Sequence, residues 1–186
     1  MKDLDAEKIE PAPDARRQSV ELRQAQSDEG PAIERLILEQ GPNQWNHLPS
    51  DEVRRNVEGI ATGEASAVVA ELDGALVGAA IYGIGHPYKR LQPPGRESVE
   101  RGYVSEVVVH RGHVGVSIGT KLLRAAIDRL VEQGMREIYA KRHADNIPSG
   151  RMMEKSGMEI VDEFDDPEIR PHGSRRTTVT RYTVPS

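Results

Sequence analysis

The segment VVVHRGHVGVSIGTKLL, residues 107–123, constrains the fold more than any other part of the chain. A run of β-branched residues ends at Val109, three glycines follow at 112, 115 and 119, and a helical stripe then begins near Ser117 with Ile118, Leu122, Ala126 and Leu130. A buried strand running through a tight turn into an amphipathic helix brings free backbone amides at the helix N-terminus to the end of a sheet. Small residues let a ligand approach that backbone, and the partial positive charge there suits a phosphate or pyrophosphate. A plain strand-to-helix connection has the same pattern. The spacing matches neither GxGxxG nor GxxxxGK[ST], which weakens the usual dinucleotide and nucleoside-triphosphate readings.

The remaining elements can be placed around this turn. Residues 1–18 are charged and proline-containing without apolar periodicity, and they read as a flexible tail. From Ser19, SVELRQA alternates like a strand; Ser27 or Asp28 can then cap a helix whose Ile33, Leu36 and Ile37 share a face. After the turn-rich GPNQWNHLP, Ser50 opens a second helix that ends between Gly59 and Gly63. Two apolar runs flank Asp73-Gly74, a dipeptide suited to the positive dihedrals of a tight hairpin. The stretch HPYKRLQPPGRES reads as an exposed loop, GYVSEVVVH as a strand, and Gly134 as the end of the central helix. A strand REIYAKR, a short helix from Pro148 to Ser156 ended by Gly157, and the strands MEIVDEF and RRTTVTRYTV complete the order. The expected fold is therefore α/β (α+β), a single domain over residues 19–186, with a mixed central sheet of about seven strands and about four helices on its faces.

Composition narrows the function. A net charge of −5 argues against a surface built for nucleic acid, and the absence of cysteine excludes a thiolate nucleophile or thiolate metal site. With no signal-like segment and no uncharged run of membrane length, the protein is expected to be cytoplasmic, with neither membrane nor nucleic acid as a partner.

The glycine-rich segment resembles the signature of the GNAT N-acetyltransferases, commonly V-H-P-x-x-R-G-x-G-I-G-x-x-L-L, with Val109, His110, Gly115, Ile118, Gly119, Leu122 and Leu123 matching. Arg111, Val114 and Ser117 depart from it, at the usual proline, arginine or glutamine, and first glycine. A second stretch, DNIPSGRMMEKSGMEIVDEF, is similar to the family's N-x-x-A-x-x-L-Y-E-K-x-G-F segment through Asn146, Glu154, Lys155 and Gly157, with Met153 at the tyrosine. The element order from Ser19 to Val184 is also that of the family.

The resemblance implies acetyl-CoA as co-substrate, a primary amine of a small molecule or a protein as acceptor, direct attack in a ternary complex, and no metal. It implies that the fourth and fifth strands part, so that Val107, Val108 and Val109 line the pantetheine. Gly115, Val116, Ser117, Ile118, Gly119 and Thr120 would hold the pyrophosphate. Asn146 would touch the cofactor or cap the short helix, and Ser117 would add a hydroxyl or cap the central one.

Glu106, the only carboxylate inside the apolar strand run, is the candidate general base, since desolvation there would raise its pKa; an outward or ion-paired glutamate is the alternative. Met153 cannot donate a proton, so either Tyr139 serves as acid or the thiol leaves as thiolate. Trp45 and Tyr88, on the two long loops, are the candidate acceptor contacts, beside Asn46, His47, His86 and Lys89. His110, His113 and His143 lack metal-site spacing. Val114, Ser117 and Met153 together also fit a related fold that binds ligands or proteins without turnover, and a homodimer is compatible with either reading.

Overall fold

In the computed structural model the described residues are 19–46, 50–113, 115 and 117–185. The tail read over residues 1–18 lies outside them, as do His47, Val114 and Val116. The hairpin at Asp73-Gly74 forms as its dipeptide demands: φ is +51° and +79° at the two central residues, joining β2 (Ser66–Leu72) to β3 (Ala75–Gly85). Ahead of it come β1 (Glu21–Gln24), α1 (Gly30–Gln40) and α2 (Ser50–Thr62). After it come β4 (Arg101–Val109), α3 (Ile118–Glu132), β5 (Glu137–His143), α4 (Ile147–Lys155), β6 (Glu159–Asp165) and β7 (Arg176–Thr183). The described strands form one seven-stranded sheet in the order β1-β2-β3-β4-β5-β7-β6, antiparallel throughout except where β4 meets β5.

Helices cover both faces. Ile118, Leu122, Leu123, Ala126 and Leu130 of α3 pack with Met153 of α4 on Val68, Val104 and Ala140. Ile33, Leu36 and Ile37 of α1 and Val53 and Val57 of α2 pack on Val69, Ile81 and Val108 from the other side. Burial of each large aliphatic side chain stabilises by roughly 1.5–3 kcal/mol, which fixes the helices to the sheet. Gly78 lets α3 come close: a Cβ there would lie 2.8 Å from Leu122. The end of α3 is a left-handed cap in which Gly134, at φ +88°, directs the Met135 amide to Leu130 O and its own amide to Val131 O.

Two expected caps are corrected. Neither Ser27 nor Asp28 caps α1; the cap position is Glu29, with no side-chain cap bond. Pro31 in the first turn sets where the helix begins, and the Glu29 carboxylate instead accepts from the Gln26 amide and from Arg23. Ser117 does precede α3, but at φ +64° its hydroxyl makes no cap bond. Among the described residues, no helix is long and apolar enough to cross a membrane.

Candidate active site

β4 and β5 pair only through Gly102–Ile138, Tyr103–Tyr139 and Val104–Ala140. Beyond Val104 they part, and the reason lies in β4 itself. Its register against β3 slips between Glu106, opposite Ile81, and Val104, opposite Tyr82, so that Ser105 is an extra, bulged residue whose Oγ donates to Ile81 O. An extra residue reverses the side-chain alternation beyond it. Val104 therefore packs with α3, whereas Val108, four residues on, packs with α1 and α2. The bulge thereby turns Glu106 to the α1–α2 face. The His110 amide bonds Val77 O, so by antiparallel alternation the main-chain groups of Val107 and Val109 point away from β3, into the gap beside β5.

The gap is a cleft of about 950 Å3 lined by residues 103–109 of β4, residues 139–143 of β5, and the starts of α3 and α4. At one end lies the start of α3. Gly115 has φ +88°, a conformation that favours glycine, and Ser117 is exposed. The first helical bond runs from the Lys121 amide to Ser117 O, leaving the amides of Ile118, Gly119 and Thr120 without intrahelical acceptors. Gly115, Ser117, Ile118, Gly119 and Thr120 all line the cleft; Val116 is outside the described residues. Gly119 also has a packing reason, since a Cβ there would stand 3.0 Å from Met152 Sδ. Arg111, Arg142, Arg151 and Lys155 add positive charge along this half. Arg142 lies under Gly150 and donates to His143 O and Ala144 O, and burial lowers its pKa. Asn146 lines the cleft and also caps α4, its Oδ1 accepting from the Ser149 amide at 3.2 Å.

At the other end, Glu106 is partly buried and has no hydrogen-bond or ion-pair partner among the described residues. Desolvation, reinforced by the charge of Glu52 on α2, pushes its carboxyl up to about 7, against the opposing pull of Lys141 and Arg170. Tyr88 lines this end too, at a left-handed φ of +53°, with its ring 5.7 Å from that of Tyr139 and its hydroxyl raised to about 12 by burial. Tyr139 is buried, and its hydroxyl accepts from Gln92 Nε2 at 3.2 Å. The proline loop carrying Tyr88 is held by Arg90, which donates to Asp162 and lies 4.3 Å over the Phe164 ring.

Other sequence candidates sit elsewhere. Trp45 does not line the large cleft; its ring is 5.1 Å from that of His143 and borders an adjoining pocket of about 290 Å3. His143 is buried, its Nδ1 accepting from the Asp145 amide and its Nε2 donating to His172 O. His86 bonds Ser98 O, and Lys89 is exposed outside the cleft. Met153 is buried, receiving the Thr180 hydroxyl at 3.4 Å on its sulfur. No group of three or more His, Asp or Glu fit to hold a metal occurs among the described residues. Sequence reasoning missed Arg170, Lys141 and Glu52 as cleft residues, because Arg170 lies in an aperiodic loop and Glu52 reads as a helix-dipole acid.

The parted β4–β5 pair leading to the start of α3 is the arrangement that the sequence resemblance implies. The family model for the acetyltransferase (GNAT) family matches residues 30–158, and the chain belongs to that family. Among solved structures, mosquito arylalkylamine N-acetyltransferase like 5b superposes with a TM-score of 0.69 at 16% identity, over 89% of this chain and 100% of that one. Arabidopsis thaliana Naa50, in complex with the bisubstrate analogue CoA-Ac-MVNAL, gives 0.65 at 22% identity, covering 89% and 99%. The Salmonella typhimurium acetyltransferase yncA, with acetyl-CoA, gives 0.66 at 20% identity, covering 90% and 95%. At such identities the likeness is one of fold. Comparison with curated proteins gives no match.

Proposed function

We propose that this acetyltransferase moves the acetyl group of acetyl-CoA to a primary amine of a small molecule, in the cytoplasm, by direct attack in a ternary complex. The parting of β4 from β5 carries the reading: main-chain groups of Val107 and Val109 open onto the gap, and the gap runs to the N-terminal turn of α3. The donor would lie there, its pantetheine along Val107–Val109 and its pyrophosphate at Gly115–Thr120, with Arg142, Arg151 and Lys155 nearby. The acetyl-CoA and CoA conjugate held by the Salmonella and Arabidopsis relatives support this choice. When bound, acetyl-CoA supplies an activated thioester.

The protein's own residues do the rest. An aliphatic ammonium of pKa near ~10.4 must lose a proton before it can attack, and Glu106, poised near 7 and unpaired, takes it directly or through water. The Val107 and Val109 amides open onto the gap and would act as donors to the negative charge that gathers on the thioester oxygen. Met153 has no proton to give, and the thiol, with a pKa near ~8.5, leaves as thiolate. Tyr88 shapes the acceptor end, and Trp45 borders the pocket beside it.

The test is a thiol-release assay with acetyl-CoA over a panel of primary amines. Amine-dependent CoA release with stoichiometric N-acetyl product supports the proposal. Saturable acetyl-CoA binding with no release over the whole panel would favour the non-catalytic reading, which the buried Met153 in place of a proton donor already recommends as the second choice.

A further inference from the structure

Arg170, in the connection between β6 and β7, is a buried cation only partly provided for. It is 6% exposed, and its backbone amide bonds Asp166 O at 2.8 Å. Its Nε donates to Thr177 Oγ1 at 3.1 Å, and that hydroxyl donates to Asp166 Oδ2 at 2.7 Å. The side chain is thus pinned through one nitrogen. Among the described residues its two Nη groups make no hydrogen bond and no ion pair. Arg170 lines the cleft at the end that holds Glu106, Glu52 and Lys141, and it borders the adjoining pocket of Trp45 as well. Burial disfavours its charge, while the carboxylates of Asp166, Glu106 and Glu52 sustain it from around the cleft.

A planar guanidinium with two free Nη groups in a desolvated wall matches a carboxylate, which takes both N–H groups of one edge in a bidentate pair. The same end of the cleft holds two carboxylates, Glu106 and Glu52, with two cations, Arg170 and Lys141. That is the complement of a zwitterion: an amine toward Glu106 and a carboxylate toward Arg170. We propose that Arg170 anchors a carboxylate of the acceptor, so that the preferred substrates are small amino acids whose amine is acetylated. The inference rests on the acetyl-transfer reading and names the substrate class for it. Arg170 is a binding residue here, with no part in the proton transfer.

The experiment compares kcat/KM for free amino acids, including β- and γ-amino acids, with that for their carboxamides, in the wild-type protein, Arg170→Gln and Arg170→Lys. Acetyl-CoA binding by calorimetry serves as the control for folding. The expected result is a wild-type preference for the acids of about 10- to 100-fold. That preference collapses toward unity in Arg170→Gln and is partly kept in Arg170→Lys, chiefly through KM. Equal turnover of acids and amides by the wild-type protein overturns the carboxylate anchor and leaves acetyl transfer standing, with Arg170 then only balancing Glu106 and Glu52. An equal loss on acids and amides in Arg170→Gln overturns it likewise. No CoA release from any amine or amino acid removes both proposals.

Discussion

Replacing Glu106 by glutamine should improve stability and abolish most activity, and the two effects have different pH signatures. The carboxyl is held near 7 in the folded protein against an ordinary value of 4.5, chiefly by burial. Between those two pH values the native state binds more protons than the unfolded chain, so this group makes stability fall as pH rises through the window. At about 1.4 kcal/mol per pH unit the full difference corresponds to about 3 kcal/mol, and solvent reaching a partly buried side chain brings it to on the order of 2 kcal/mol. Glutamine keeps the shape without the charge. Thermal melts of Glu106→Gln against wild type should therefore show a gain of about 4–8 °C at pH 8.5 that shrinks to nearly nothing at pH 4.5. Over the same range wild-type kcat/KM should rise through about pH 7, and the variant should lie about 100- to 10,000-fold below the plateau. A Tm difference that does not change with pH would show that the carboxylate is not penalised by burial. Activity within a few-fold of wild type would remove Glu106 as the base.

Three further perturbations test the frame around the site. Glu137→Ala leaves Arg101, 2% exposed and bonded to Glu137 at 2.8 Å, with an uncompensated charge beside the β4–β5 pairing, and should cost about 3–5 kcal/mol by denaturant unfolding; a loss below about 1 would contradict the ion pair's structural role. Glu29 is held down to about 2 by Arg23, so its contribution is present above pH 4.5 and is lost as pH falls through about 2. Glu29→Gln should accordingly destabilise by about 1 kcal/mol at pH 7 and much less at pH 2, read from melting curves at both. Asn146→Ala should cost about 1 kcal/mol through the lost α4 cap, whereas Asn146→Asp keeps the cap; if Nδ2 also contacts the donor, the aspartate variant will bind acetyl-CoA more weakly at unchanged stability.

What the sequence could convey depended on whether the determining interaction was local. Asp73-Gly74, Gly134 and Gly157 announce turns because their positive φ values, +51° and +79°, +88°, and +81°, are requirements of one or two residues. The stripe of α3 is likewise local, and the strand-turn-helix around Gly115 could be placed before any contact was known. The bulge at Ser105 could not, since the β-branched run around it is apolar on both faces and carries no alternation to be broken. Glu106 was legible as an isolated carboxylate in that run, but its orientation follows from the bulge. The cap of α1 escaped because Arg23 and Pro31, rather than the nearest cap-forming residues, decide where the helix starts. Trp45 reads as a loop aromatic, yet only the tertiary fold puts it against His143 and beside Arg170 rather than in the main cleft. Arg170 itself has no sequence signal: its role comes from Thr177 and Asp166 pinning it in a loop that reads as irregular.

The central claim is that acetyl-CoA occupies the gap between β4 and β5 with its pyrophosphate on the start of α3. Calorimetric titration of acetyl-CoA into the protein tests it most directly, alongside Gly119→Trp, which fills the cleft wall next to Met152, and Thr120→Glu. A glutamate in the first helical turn favours the helix while repelling a pyrophosphate, so its effect is separable from unfolding. The account predicts saturable binding in the micromolar range that both substitutions abolish while melting curves stay cooperative. No binding, or binding indifferent to both, would contradict it.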